Sequence, residues 1–304
     1  VDATAKFPAT DFVATTPAPT THPEQEVVDV HYEKTGCVAR VQSLSPEASQ
    51  LVVSAARIDA GQTIRGEAVF KLRVSKSYFG YSLQHFPAVQ KIPRPIAKPY
   101  LSDSPGIETR LSRLAKLVAE ITRTSDHPWD KARTFHQWVF DNIRGVPGDY
   151  TSVKRALETG QGDCEERAGV FIALCRAAGI PARLVWVPNH VWAEFLLFDQ
   201  RHQPHWIPAH TAAYSWFGWT GAHEIVLQKG DRIRQPGPDK SVRLLLDWWR
   251  CGGAKPSVRF FASVTPLGDP QNPQSDPGPG AREKQPDGKW RLVGQHFDNK
   301  LLRA

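Results

Sequence analysis

An α+β protein is predicted, with a helix packed on an antiparallel sheet at its centre and a β-rich, sandwich-like domain ahead of it. Three observations predict this. Residues 27–98 alternate apolar with polar side chains, residues 107–144 repeat apolar side chains at helical spacing, and residues 163–198 join a capped helix to strand-like runs through a tight turn.

The elements follow in order. Residues 1–26 are rich in Thr, Pro and Ala without an apolar period, and are expected to be a flexible leader, with simple terminal disorder the alternative. Residues 27–98 contain VVDVHYE, CVARVQ, QLVVSAARI and AVFKLRVSKSYFGYSLQHF, divided by turn signals such as Asp59-Ala60-Gly61. Short strands punctuated in this way predict an antiparallel sandwich. The proline cluster PRPIAKPYLSDSP then marks a boundary.

Residues 99–235 are expected to form the core. Ile107, Leu111, Leu114, Leu117, Val118 and Ile121 share one helical face, and Trp129, Ala132, Phe135, Val139 and Ile143 give the buried stripe of a second helix. A short helix at 153–158 leads to Gly160. After the central helix, ARLVWV, HVWAEFLLF and HWIP read as three strands. Residues 236–264 are expected to extend this core. The Pro/Gly-rich stretch 265–289 reads as a loose linker, and 290–304 as a terminal segment that returns to the body.

Composition narrows the functional classes. The chain has 304 residues, 40% hydrophobic and 23% charged, which predicts a globular protein of two domains. No apolar run approaches the roughly 18–20 residues of a spanning helix, so no integral membrane segment is expected. The formal charge of +7 is spread along the chain, which gives no footprint for a nucleic-acid partner. Absence of methionine, together with the Thr/Pro-rich start, fits an exported, extracytoplasmic chain.

The four cysteines separate by context. Asp163 occupies an N-cap position with Glu166 three residues on, the signature of a capping box. Cys164 therefore opens a helix that Gly179 and Pro181 stop. The free N–H groups and positive dipole end there favour a thiolate, a nucleophile's environment. Asp163, Glu165 and Glu166 oppose this, so a neighbouring base must carry much of the activation. Cys175 lies roughly 16 Å further along the same helix at about 1.5 Å per residue, too far for a disulfide, and reads as a small core residue. Cys37 and Cys251 are open between pairing with each other and remaining free thiols.

His190 starts a strand on which His190, Trp192 and Glu194 share a face. A helix on an antiparallel sheet can bring such a histidine to the cysteine at the helix start. On spacing alone, a strand histidine is more often structural. His202, His205 and His210 with Cys164 and His190 invite a zinc reading, but no Cys-x-x-Cys or His-Glu-x-x-His spacing accompanies them, so no metal is expected. His22, His31, His85, His127, His136, His223 and His296 lack motif context and read as surface or boundary residues.

GDCEERAGVFIALCRAAGIPARLVWVPNHVWAEF resembles the core of the transglutaminase-like family, within the papain-like cysteine protease and transglutaminase-core superfamily. The shared pattern is Gly-x-Cys, a helix ending in Arg-Ala-x-Gly-Ile-Pro-Ala-Arg, and His-x-Trp-x-Glu. The specific likeness covers residues 160–208, and a weaker one 102–234. It implies a papain/transglutaminase-like core with Cys164 as nucleophile and His190 as general base and acid, needing neither metal nor cofactor. The third position departs from the pattern. Trp206-Ile207-Pro208-Ala209-His210 puts His210 where the family carries a carboxylate that orients the imidazole. Glu194, on the same strand as the base, reads as a supporting residue, and Asp199 as a solvated loop residue.

The implied function is cysteine-dependent acyl transfer on amide bonds of proteins or peptides through a thioester, as a peptidase, amidase or transglutaminase. The alternative is a non-catalytic scaffold or binding module with a degenerate triad, which His210 favours.

Overall fold

The structure is a computed structural model that describes residues 1–75, 77–78, 80–212, 216–220, 224–237, 241–265, 282–284 and 290–292. The chain forms two compact units. One comprises Val1–Lys76, Gly221–Leu227 and Leu245–Ala304; the other comprises Ser77–Thr220 and Gln228–Leu244.

Thirteen strands among the described residues carry the argument. The first unit holds β1 (Asp2–Thr4), β2 (Ala9–Ala18), β3 (Gln25–Thr35), β4 (Val38–Ser45), β5 (Ala48–Ile58) and β6 (Thr63–Val74). The second supplies β7 (Ala182–Val187), β8 (His190–Phe198), β9 (Pro204–His210), β10 (Trp216–Phe217) and β11 (Gln228–Lys229). β12 (Trp248–Gly253) and β13 (Ser257–Arg259) return to the first unit.

Two antiparallel sheets make the first unit, in the orders β13-β1-β6-β3 and β4-β5-β2-β12. Its core draws Ala3 and Ile64 from one sheet and Phe12, Ala14, Leu51, Val53 and Ile58 from the other, as a sandwich requires. Several expectations are corrected here. Residues 1–26 are no leader along their length: they build β1, β2 and the start of β3. Phe12 and Ala14 are fully buried. Pro17 is tolerated within β2 because β12 pairs β2 only as far as Thr15, so the missing N–H removes no bond on that side. Residues 236–264 do not simply extend the core, since 248–253 and 257–259 are strands of the sandwich. Conversely, Ser77 onward belongs to the second unit rather than to the β domain. Most of 265–289 and of 290–304 lies outside the described residues.

Cys37 and Cys251 are both free thiols packed on the same sandwich core. Each sulfur meets a backbone carbonyl: Cys37 donates to Arg65 O at 3.0 Å and Cys251 to Ala254 O at 3.7 Å.

The second unit contains α1 (Arg94–Tyr100), α2 (Ser112–Ile121), α3 (Pro128–Asn142), α4 (Val153–Thr159) and α5 (Cys164–Ala177) beside the antiparallel sheet β10-β9-β8-β7-β11. α3 buries the predicted stripe, with Trp129, Ala132, Phe135 and Val139 at 3% exposure or less. Helix α5 packs against β8 and β7 on one side and against α2, α3 and α4 on the others. Every residue from Glu165 to Arg176 is buried, so α5 is a central helix enclosed all round rather than an amphipathic surface one. Its charged ends are compensated. Arg176 makes a two-pronged pair with Asp231 at 2.9 and 2.7 Å, while Arg243 pairs Glu165. Gly179 (φ 79°) ends the helix in the left-handed conformation that favours glycine. Cys175 is fully buried, as predicted for a core residue.

Candidate active site

The segment entering α5 is fixed before the cysteine is reached. Arg144–Gly145 pairs in parallel with Gln161–Gly162, which delivers the chain to Asp163. A side chain on Gly162 would place its Cβ 2.4 Å from Glu166 Cβ, so the glycine of the Gly-x-Cys pattern is demanded by close packing. Gly162→Ala is expected to cost about 1–3 kcal/mol by overpacking. Chemical denaturation would show it, and an unchanged midpoint would contradict the contact.

The predicted capping box forms. Asp163 Oδ1 accepts the N–H groups of Glu165 at 2.7 Å and Glu166 at 3.4 Å, and Glu166 Oε2 accepts the Asp163 N–H at 2.9 Å. Glu166 Oε1 also accepts Thr151 N–H at 2.6 Å. The two carboxyls share their surroundings unequally. Burial, then the Glu166 hydrogen bond and charge, push Asp163 up to about 8. Glu166 is held below its ordinary value: burial opposes this, but the hydrogen bonds from Asp163 and Thr151 prevail.

Cys164 begins α5 and keeps part of its surface. Burial of its sulfur pushes the thiol well above the ordinary range, and the charges of Asp163 and Glu165 add to the shift. The backbone N–H groups of Val191 and of Cys164 itself favour the thiolate but do not outweigh these effects. The expectation of a thiolate poised by the helix dipole is thereby corrected. The dipole is worth at most ~2 kcal/mol, less than enclosing an anion beside two acids costs.

Val191, whose N–H faces the sulfur, follows His190 at the start of β8. Val187 and His190 face each other across the β7–β8 turn, whose Asn189 (φ 63°) takes the left-handed position after Pro188. Burial pushes His190 down to about 4, so the ring is neutral at rest. β9 runs antiparallel to β8 with Glu194 opposite Pro208 and Ala193 opposite Ala209. Period-two geometry puts His210 on the same face as His190, Trp192 and Glu194. Its Nε2 lies 2.7 Å from His190 Nε2, and the two ring centroids are 4.6 Å apart. The Trp192 and Trp216 rings lie 6.1 and 5.5 Å from that of His210.

His136 was missed. It is buried rather than at the surface, and its Nε2–H donates to the His210 carbonyl at 2.9 Å. Burial lowers its pKa, which keeps it neutral. His22 is likewise buried. His31 and His85 are exposed, as expected; His127 is half-buried, with Nε2 3.0 Å from Phe86 O. His223 and His296 lie outside the described residues. The sequence signal for His136 was its place four residues after Ala132, on the face of α3 that turns inward.

Glu194 does not reach the imidazole pair. Its Oε2 accepts from Arg183 at 2.9 and 2.8 Å and its Oε1 from Lys229 at 2.8 Å, all three side chains being buried. Burial would raise its carboxyl, but Lys229 and then Arg183 outweigh it and hold it near about 2. Asp199 caps its own turn through Arg201 and Gln203 N–H, both at 2.8 Å, and meets His205 Nε2 at 3.1 Å. His205 turns to Tyr81 and His202 to Phe198, so the three histidines of 202–210 separate.

Known proteins share parts of this chain. Residues 115–211 match the family model of the transglutaminase-like superfamily. A peptide-N(4)-(N-acetyl-beta-glucosaminyl)asparagine amidase of Yarrowia lipolytica is 32% identical over 68 residues, 22% of this chain and 18% of that protein. The chain thus spans about a fifth of that curated relative. A protein from Cytophaga hutchinsonii, provisionally described as a cysteine protease, superposes with a TM-score of 0.55 at 16% identity. The superposition covers 86% of this chain and 90% of that one, a likeness of fold. Together with a cysteine-bearing helix on an antiparallel sheet, these place residues 115–211 of this chain in the transglutaminase-like superfamily.

Proposed function

We propose that the chain is a cysteine-dependent acyl-transfer enzyme acting on amide bonds of proteins or peptides. The observation that carries this reading is the 2.7 Å contact between His190 Nε2 and His210 Nε2 beside the strand start that serves the Cys164 sulfur. If His190 donates its Nε2–H to His210, its Nδ1 holds the lone pair needed to take a proton from the thiol. Sulfur then attacks the carbonyl carbon, and the π electrons move onto oxygen. The N–H of Cys164, at the helix start, is the candidate donor to that oxyanion. His190 returns the proton to the amide nitrogen, the C–N bond breaks, and the amine leaves a thioester on Cys164. Water or a second amine completes the cycle by attacking the thioester.

Resting thiol and imidazole are both neutral, so deprotonation accompanies attack rather than preceding it. The named activity of the Yarrowia relative, an amidase, supports the amide as the bond cleaved. A second reading, a non-catalytic scaffold, draws support from His210 in the carboxylate position and from the raised thiol.

An activated ester separates the two. On incubation with p-nitrophenyl acetate, wild type is expected to carry one acetyl group on the Cys164 peptide, and Cys164→Ala none. His190→Ala should acylate about 10²–10⁴-fold more slowly, the range of general acid–base catalysis. Acylation at equal rates with and without His190, or none at Cys164, would leave only the scaffold. A glutamine-containing protein offered with a labelled primary amine then divides transferase from hydrolase.

A further inference from the structure

Among the described residues of the second unit, buried cations come with carboxylates, save one. Arg176 holds Asp231, Arg183 and Lys229 share Glu194, and the half-buried Arg243 holds Glu165. Arg167 is 8% exposed, yet its hydrogen-bond partners among the described residues are two backbone carbonyls. Nη1 donates to Ala212 O at 2.9 Å and Nη2 to Phe140 O at 3.3 Å, while its buried Nε has no partner. An enclosed charge facing neutral carbonyls is costly unless an anion arrives.

The place of Arg167 says which anion. It stands three residues after Cys164 on α5, one turn along the same face. Burial disfavours its charge, and a negative charge on the Cys164 sulfur would favour it. Ala212, to which it donates, follows His210 by two residues, and Phe140 lies near the end of α3, so its two bonds join α5 to α3 and to the chain after β9. Other charges around the sulfur are answered elsewhere: Glu165 by Arg243, and Asp163 and Glu166 by the capping box and Thr151. From β8 and β9 the neighbours are His190 and His210, joined to each other, and from α3 it is His136, bound to the His210 carbonyl.

We propose that Arg167 is a positioning residue whose guanidinium is the counter-charge met by the Cys164 sulfur as it becomes anionic, while its carbonyl bonds tie α5 to the chain just past His210. The proposal rests on Cys164 being the nucleophile. It explains how a thiol flanked by acids can ionise within an attack step: a buried cation that holds only backbone carbonyls in hydrogen bonds among the described residues lies a helical turn away.

The test is the pH dependence of iodoacetamide alkylation at Cys164, followed by peptide mass spectrometry. Arg167→Met is expected to raise the midpoint by about one pH unit and to slow alkylation at pH 8 about 10-fold. Arg167→Lys, which keeps charge but loses the two-carbonyl grip, should stay within about threefold of wild type. A midpoint unmoved in Arg167→Met, with only the melting temperature lowered, would overturn the proposal and leave Arg167 a structural staple. If Arg167→Met does not fold, nitrogen-15 arginine labelling decides. The Arg167 Nε–H signal, assigned by its loss in Arg167→Lys, should move with thiolate absorbance in wild type and stay flat in Cys164→Ala; a signal that ignores sulfur ionisation rejects the idea. Failure of Cys164 to alkylate in wild type at any pH would instead remove the nucleophile reading, a distinguishable outcome.

Discussion

Glu194→Ala is expected to lower the folding free energy by about 3–5 kcal/mol, the cost of leaving a buried ion cluster without its anion. Two buried cations pair with this carboxylate. Arg183 faces it directly across the β7–β8 ladder, with its guanidinium over the Trp206 ring at 3.8 Å, and Lys229 reaches it from β11. Their ammonium and guanidinium groups cannot turn to water, since each side chain is about 4% exposed. Urea denaturation measures the loss. A cost under ~1 kcal/mol would mean that the strands open easily enough to hydrate the cations. The acid limb follows with a definite sign. The folded carboxyl sits near about 2 against an ordinary 4.5, so the native state binds its proton later than the unfolded chain does. Stability from this group is complete above pH 4.5 and is lost as pH falls towards 2. His190 acts in the same direction at higher pH. Its folded value of about 4, against 6.5, makes the native state resist protonation, so stability falls as pH drops from 6.5 to 4. Glu194→Ala should abolish the lower limb and leave the upper one.

His210→Glu is expected to accelerate acylation of Cys164 by about 10-fold or more, and His210→Ala to slow it. A histidine can accept the His190 Nε2–H and so fix its tautomer, but it brings no negative charge to the imidazolium formed during attack. A carboxylate within ~4–6 Å raises a histidine by about 1–3 units, which stabilises that imidazolium correspondingly. Glutamate is chosen because its longer side chain reaches nearer to where Nε2 stands, 2.7 Å from the partner ring. The rate–pH profile of p-nitrophenyl acetate turnover reads the effect, and its acid limb should move upward from about 4 as His190 gains basicity. A glutamate variant slower than wild type over the whole profile would show that the pair works by shape or tautomer alone.

Much of the second unit was legible from spacing. The α3 stripe, the capping box at Asp163 and Glu166, the Gly179 stop and the three strands β7 to β9 all follow from periodicity and cap chemistry, because each is a local rule. The strands β1 and β2 were not legible. ATDFVATTPA carries its apolar period on alanine and threonine, whose small side chains give a weak alternation, and only the opposing sheet makes Phe12 and Ala14 an inner face. The strands at 248–253 and 257–259 went astray for a related reason: pairing with residues more than two hundred positions away leaves no local trace. At the candidate site, the sequence nominates Cys164, His190 and His210, and strand register brings the last two together. Its reading of the thiol's acidity rested on helix position, which is local, whereas burial of the sulfur, which raises it, is not. His136 escaped because its partner is a backbone carbonyl, which no residue pattern encodes.

The enclosure of α5 has a consequence for motion. A helix covered on every side from Glu165 to Arg176 has no partial opening that leaves the rest of the unit intact, so its amide hydrogens exchange only when the whole unit unfolds. The proposed nucleophile therefore stands at the start of a helix enclosed on every side, and exchange at the α5 amides is expected to track unfolding of the unit. Under the acyl-transfer reading, changes that loosen the helix are therefore expected to lower turnover and melting temperature together.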